Sequence, residues 1–130
     1  MRLEGVAALP PLFQEAGTVT AASASSLNDG AAAVVLISAD RASQLGVAGL
    51  ARVVSFADHG VVPENFATAP SGAVRRALQA AGMHSVDFHE IHESFAAVAM
   101  ANMRLLDLDP SRVNINGGGV SLGHPLGASG

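Results

Sequence analysis

Residues 114–130 read NINGGGVSLGHPLGASG. Val113 to Asn116 alternates apolar and polar side chains, the pattern of a short strand with one buried face. Gly117, Gly118 and Gly119 then allow a turn or a close approach, because glycine has no Cβ to clash. Pro125 disfavours the α region for the residue before it, so His124 is expected on an extended loop. A histidine on a stiff, glycine-flanked loop after a strand is well placed for proton transfer. A plain surface turn shares this composition.

Working upstream, Val86 to Ile91 reads as a short strand-like approach to His92-Glu93-Ser94-Phe95. Ser94 to Leu106 predicts a helix that is apolar nearly all round except at Asn102 and Arg104, and therefore mostly buried, with Asp109-Pro110 as its stop. Thr68 is positioned to cap a further helix with Pro70 near its first turn. Ala73, Val74, Ala77, Leu78 and Ala81 form its apolar stripe, with Arg75, Arg76 and Gln79 opposite, and Gly82 ends it. Ala51 to Asp58 predicts a strand, and His59 to Thr68 is irregular. Ser38 or Asp40 caps a short helix through Leu45, stopped by Gly46. Ala31 to Ile37 is a continuous apolar run after the Asn28-Asp29-Gly30 turn signal, as in a central strand buried on both faces. Gly17 to Asn28 is small and hydroxyl-rich, by composition a loop or linker. Pro10-Pro11 marks an extended start. Strands and helices thus alternate as β-α-β-α-β-α-β, which points to an α/β layer fold.

The chain has 130 residues, 49% of them hydrophobic and 14% charged, enough for one ordinary domain with a sizeable core. No apolar run approaches the ~20 residues of a membrane helix, and the first residues make a poor signal peptide. A net charge of −4 with seven Lys plus Arg argues against a nucleic-acid footprint. There is no cysteine, hence no disulfide and no thiolate metal site in this chain. His89 and His92, with Glu90 and Glu93, invite a metal reading, but H-E-I-H-E misses the H-E-x-x-H spacing by one residue, so no metal site is assigned there. Glu93 is read as a structural carboxylate near a helix N-terminus. The glycine-rich tail fits neither G-x-G-x-x-G nor a phosphate cradle.

VNINGGGVSLGHPLGASG resembles the GGxxxxGHPxGxSG signature of the thiolases, enzymes that make or cleave 3-ketoacyl-CoA. GTVTAASASSLNDGAAAVVL (Gly17 to Leu36) and HESFA (His92 to Ala96) are also thiolase-like and come in the family's order. The resemblance runs from about Leu9 to Gly130. It implies a layered α/β fold, here incomplete: residues 1–46 would end the family's N-terminal half, with its CoA-contacting loop, and residues 47–130 would be an incomplete C-terminal domain. It implies acyl transfer, Claisen condensation or thiolysis, on a CoA thioester substrate, with no tightly bound cofactor. The close fit of TAASAS and GHPLGASG favours the short-chain branch that interconverts acetyl-CoA and acetoacetyl-CoA.

By the same resemblance, His124 matches the histidine that activates a nucleophilic cysteine and donates to the thioester oxygen. His92 falls where most members carry an asparagine that holds an oxyanion-hole water; histidine variants resemble longer-chain 3-ketoacyl-CoA thiolases. Ser25 matches the serine that contacts the pantetheine arm, with Phe95 and Gly123 also lining the substrate. Ala21, Ala22 and Ala24 match positions whose backbone carbonyls hold potassium in some members. The family's two cysteines would lie upstream of Met1 and beyond Gly130, so this chain alone is expected to be inactive. A non-catalytic pseudoenzyme or interaction module with the same fold is the rival. The expected partner is a small acyl-CoA, with no nucleic acid and no membrane, in a homo-oligomer when full length, in mitochondria or cytoplasm.

Overall fold

Gly46 and Gly82 both stand at left-handed φ, 65° and 66°, and each stops the helix before it. In this computed structural model, which describes residues 3–129, five helices follow in order. They are α1 (Leu3–Val6), α2 (Ala39–Leu45), α3 (Ala69–Ala81), α4 (Ala96–Leu106) and α5 (Gly119–Leu122), with 3₁₀ turns at Pro63–Thr68 and Pro110–Arg112. Met1, Arg2 and Gly130, at the ends of the two expected units, lie outside the described residues.

The capping signals for α2 hold: Ser38 accepts from the Arg41 N–H at 3.3 Å, and Gly46 is the C-cap. Thr68 occupies the N-cap position of α3, but its hydroxyl donates to the Asn65 carbonyl at 2.8 Å instead of capping. The 3₁₀ turn before α3 already engages that residue. α4 begins two residues later than expected, because Phe95 is extended and paired with Ala24. It ends three residues before Pro110, at Asp107, which takes a left-handed φ of 53°.

The expected strands are the main correction. Among the described residues there are only isolated bridges: Pro11 with Thr20, Ala24 with Phe95, Leu27 with His124, and His89 with Val113. The Val113 strand lasts one residue, since Asn114 turns to φ 49°. Ala31 to Ile37, expected to be buried on both faces, is open on both, with Val34 82% and Val35 91% exposed. A strand needs a paired neighbour and covering layers, and none lies against this run among the described residues. Residues 51–58 run along α3 instead of joining a ladder. Ser55 donates to the Ala77 carbonyl at 2.8 Å, and Arg76 to the Asp58 carbonyl at 2.8 Å.

The core is small. Ile91, Val98 and Ala99 are buried, with Ala67, Phe95, Met103, Leu108 and Val113 packed around them. α4 packs on α3 and on the 3₁₀ turn before it, and Arg75 donates to the Leu105 carbonyl near the end of α4. Asn102, in sequence a polar break in the apolar surface, is the most deeply buried side chain among the described residues. Its amide donates to the Ala67 and Val98 carbonyls at 2.7 and 2.8 Å. Met100 and Leu105 are exposed, so α4 is less covered than its composition suggests. The surface totals 9984 Å², against about 6,400 Å² for a compact monomer of this mass. Among the described residues, no helix is long and apolar enough to cross a membrane.

Candidate functional site

The loop Thr20–Asn28 joins the three motifs. Thr20 and Ser23 brace each other, the Thr20 N–H donating to the Ser23 hydroxyl at 3.0 Å. On one side the Ser25 N–H donates to the Ser94 carbonyl at 3.1 Å, and the Ala96 N–H to the Ser23 carbonyl at 2.8 Å. On the other, the His124 N–H is shared between the Ser26 carbonyl at 2.9 Å and Asn28 Oδ1 at 3.2 Å. A stretch whose composition also suits a linker is therefore pinned at both edges.

Gly123 is required where it stands. Its φ is 99°, and a Cβ there would run into Asn28 Oδ1. That close approach aims the backbone of His124 at the loop and its ring at His92. The two Nε2 atoms are 3.1 Å apart, with ring centroids at 4.0 Å. Both rings are half-buried. His124 Nδ1 is buried and has no partner among the described residues. Burial, above all, lowers the His92 pKa below its ordinary value; the His124 ring lowers it further, and Glu93 opposes both. Neutral imidazoles in contact share one proton, so one Nε2 donates and the other accepts.

The other expected residues take distinct places. The Ser25 hydroxyl donates to the Ser94 carbonyl at 2.9 Å, which leaves its oxygen able to accept. Phe95 meets Phe13 edge-to-face with centroids at 5.8 Å. Ala21 is exposed, while Ala22 and Ala24 are half-buried on the loop. Glu93 lies just before α4, and its carboxylate serves the next helix: it accepts from the Val120 N–H at 3.2 Å, in the first turn of α5, and from Asn114 at 2.7 Å. No group of three or more metal-ligating side chains occurs among the described residues. Sequence reasoning overlooks Ser26 and Asn114, whose roles are contacts with residues distant along the chain. Asn28 is visible in the sequence only as a turn residue.

Residues 47–130 match the family description "Thiolase, C-terminal domain", and residues 1–40 match "Thiolase, N-terminal domain". The chain is 57% identical to the mitochondrial acetyl-CoA acetyltransferase of Danio rerio over 120 residues, 91% of this chain and 29% of that protein. It superposes on a thiolase from Ascaris suum in complex with coenzyme A with a TM-score of 0.96 and 45% identity, covering 100% of this chain and 35% of that one. Human mitochondrial 3-ketoacyl-CoA thiolase gives 0.95 and 42%, covering 99% and 33%. The chain spans about three tenths of the length of the curated relative it matches.

Proposed function

Because the chain belongs to the thiolase family and shares its layered α/β fold, we propose that it supplies the proton-handling half of an acyl-transfer site. The reaction is thiolysis of acetoacetyl-CoA and its reverse, condensation of acetyl-CoA. The observation that carries this reading is the His92–His124 contact at 3.1 Å. Two Nε2 atoms at that spacing allow a thioester oxygen to sit about 2.8 Å from both. The Nε2 that carries the proton would donate to it as negative charge develops, and the other would do so only after gaining a proton there, an arrangement that stabilises an oxyanion. His124 would also take the proton of an attacking thiol, a task histidine often performs in general acid–base catalysis.

The nucleophilic cysteine and a second acid–base cysteine would come from segments outside these 130 residues, with residues 1–46 and 47–130 as parts of two successive domains. The buried, partnerless His124 Nδ1 is where such a segment would meet the ring. The Ser25 loop, Phe95 and Gly123 would line the pantetheine arm. The small side chains of Ala22 and Ala24 suit a narrow ligand, and the Ascaris suum neighbour is a coenzyme A complex. Potassium fits as a structural ion. The carbonyls of Ala21, Ala22 and Ala24 accept no hydrogen bond among the described residues, and carbonyl oxygens are hard-cation ligands. The full-length protein would be a homo-oligomer, in mitochondria or cytoplasm; relatives include mitochondrial enzymes.

A longer-chain 3-ketoacyl-CoA substrate is the second reading, favoured by His92 and by the human neighbour named for that activity. Steady-state thiolysis by the full-length protein across acetoacetyl-CoA and longer 3-ketoacyl-CoAs tests both. A kcat/KM highest for acetoacetyl-CoA supports the first reading, a rise with chain length the second, and no turnover of any of them overturns both.

A further inference from the structure

One side-chain network joins the two segments that carry the histidines. Asn114 stands at a left-handed φ of 49°, a conformation asparagine tolerates better than most residues. Its Oδ1 accepts from the Ile91 N–H at 2.7 Å, and its Nδ2 donates to the Ile91 carbonyl at 2.9 Å and to Glu93 Oε1 at 2.7 Å. Its backbone N–H donates to the His89 carbonyl at 2.9 Å. The other oxygen of Glu93, Oε2, accepts from the Val120 N–H at 3.2 Å. The amide thus uses both kinds of polar atom, and the carboxylate uses both oxygens.

The glycine run is shaped around this carboxylate. A Cβ on Gly118 would run into Glu93 Cδ, and one on Gly119 would lie 2.7 Å from the Glu93 carbonyl oxygen. The path from there to His124 is short and stiff: the single turn of α5, then Gly123, whose N–H donates to the Gly119 carbonyl at 3.0 Å. His92 is bonded directly to Glu93 on the other side. Any shift between Glu93 and Val120 is therefore passed on to the gap between the rings.

We infer that Glu93 and Asn114 are positioning residues: their side chains lock the 91–93 turn onto Gly118–Val120 and set the distance at which His92 and His124 meet. The inference rests on the acyl-transfer role proposed for the two histidines. It gives Gly118 and Gly119 a purpose that a flexible turn does not, namely to let the half-buried carboxylate and the backbone carbonyl of Glu93 lie against the chain. Glu93 touches neither ring nitrogen, so it acts through His92 and His124 and not on substrate.

The test uses the full-length protein with three variants. Asn114→Gly keeps the left-handed backbone and deletes the clamp. Glu93→Gln keeps size and shape but presents a donor where two donors already point. In the double variant Glu93→Gln/Asn114→Asp, one donor again faces one acceptor between residues 93 and 114, although the Ile91 carbonyl loses its donor, so the recovery is partial. Each single variant should lower kcat for thiolysis about ten- to a hundredfold, the scale of a displaced catalytic group, while KM stays within about twofold. The double variant should recover activity above both singles. Imidazole ¹⁵N shifts, read without substrate, should show His92 and His124 moved apart in the singles and hydrogen-bonded again in the double. Unchanged kcat in Asn114→Gly, or a double no better than the worse single, overturns the inference. If the parent shows no thiolysis, only the acyl-transfer reading fails. The ¹⁵N shifts then decide the clamp alone, and parent-like shifts in both singles overturn it.

Discussion

The Nε2 of His92 lies 3.1 Å from the Nε2 of His124, so when both rings are neutral one of these nitrogens holds a proton and the other a lone pair. On the roles proposed for it, truncating His124 would remove a base and an oxyanion donor together. One proton-transfer role contributes ~10²–10⁴-fold and one oxyanion donor ~10²–10³-fold, and the two do not multiply because one residue carries both. His124→Ala in the full-length protein is expected to lose at least about a thousandfold in thiolysis turnover, with CoA affinity little changed. His124→Asn should recover little, since an amide donates but is no base. Turnover within about tenfold of the parent would place the base elsewhere.

His92 titrates below its ordinary value near 6.5, chiefly through burial. The unfolded chain therefore takes up a proton at this residue before the folded one does. Stability from this group is unaffected at high pH and falls as pH drops through about 6.5, until the folded-state pKa is passed. His92→Asn should flatten that limb of the urea midpoint against pH. An unchanged pH dependence would contradict the lowered pKa.

Gly123→Ala drives a Cβ into Asn28 Oδ1 at a φ of 99°. Forced crowding of this kind costs about 1–3 kcal/mol, read as a lower urea midpoint in the full-length protein. Gly60→Ala, with nothing within 4 Å of the added Cβ, is the control and should change stability by less than about 0.5 kcal/mol. Equal effects at the two positions would refute the close approach.

The 130-residue chain has no cysteine. Incubated alone with labelled acetyl-CoA, it should show no stable adduct by mass spectrometry. Any covalent label on this chain would identify a nucleophile that the proposed site does not contain.

Val34, Val35 and Leu36 are 82%, 91% and 78% exposed, and Phe56 is 85% exposed. Large exposed apolar surface binds hydrophobic dyes and promotes association. The isolated chain should bind such a dye strongly and sediment as more than a monomer. A dye-silent, monodisperse monomer would show that these residues are covered in solution.

Helix ends are legible in the sequence because they are local: Ser38, Gly46 and Gly82 act through bonds to residues a turn away. The motif histidines are legible too, through the family resemblance, but their contact at 3.1 Å is not. Strand pairing is not legible. Ala31 to Ile37 carries a buried-strand composition, but burial depends on neighbours that composition does not name. The partners of Asn102 and Glu93 escape sequence reasoning for the same reason, since they lie far along the chain: the Ala67 carbonyl for Asn102, Asn114 and Val120 for Glu93.

The bonds that hold the Thr20–Asn28 loop also bear on folding kinetics. Ser25 and Ser94 are 69 residues apart, and Asn28 and His124 are 96 apart, whereas the Asn102–Ala67 tie beneath α4 spans only 35. Closing the longest of these loops costs about 1 kcal/mol more chain entropy than closing the shortest. The α3–α4 pair should therefore form early, and the loop that brings the histidines together should dock after the main barrier. Substitution at Asn28 would then leave the refolding rate nearly unchanged and speed unfolding, so the histidine pair would be the first part of the molecule to come apart.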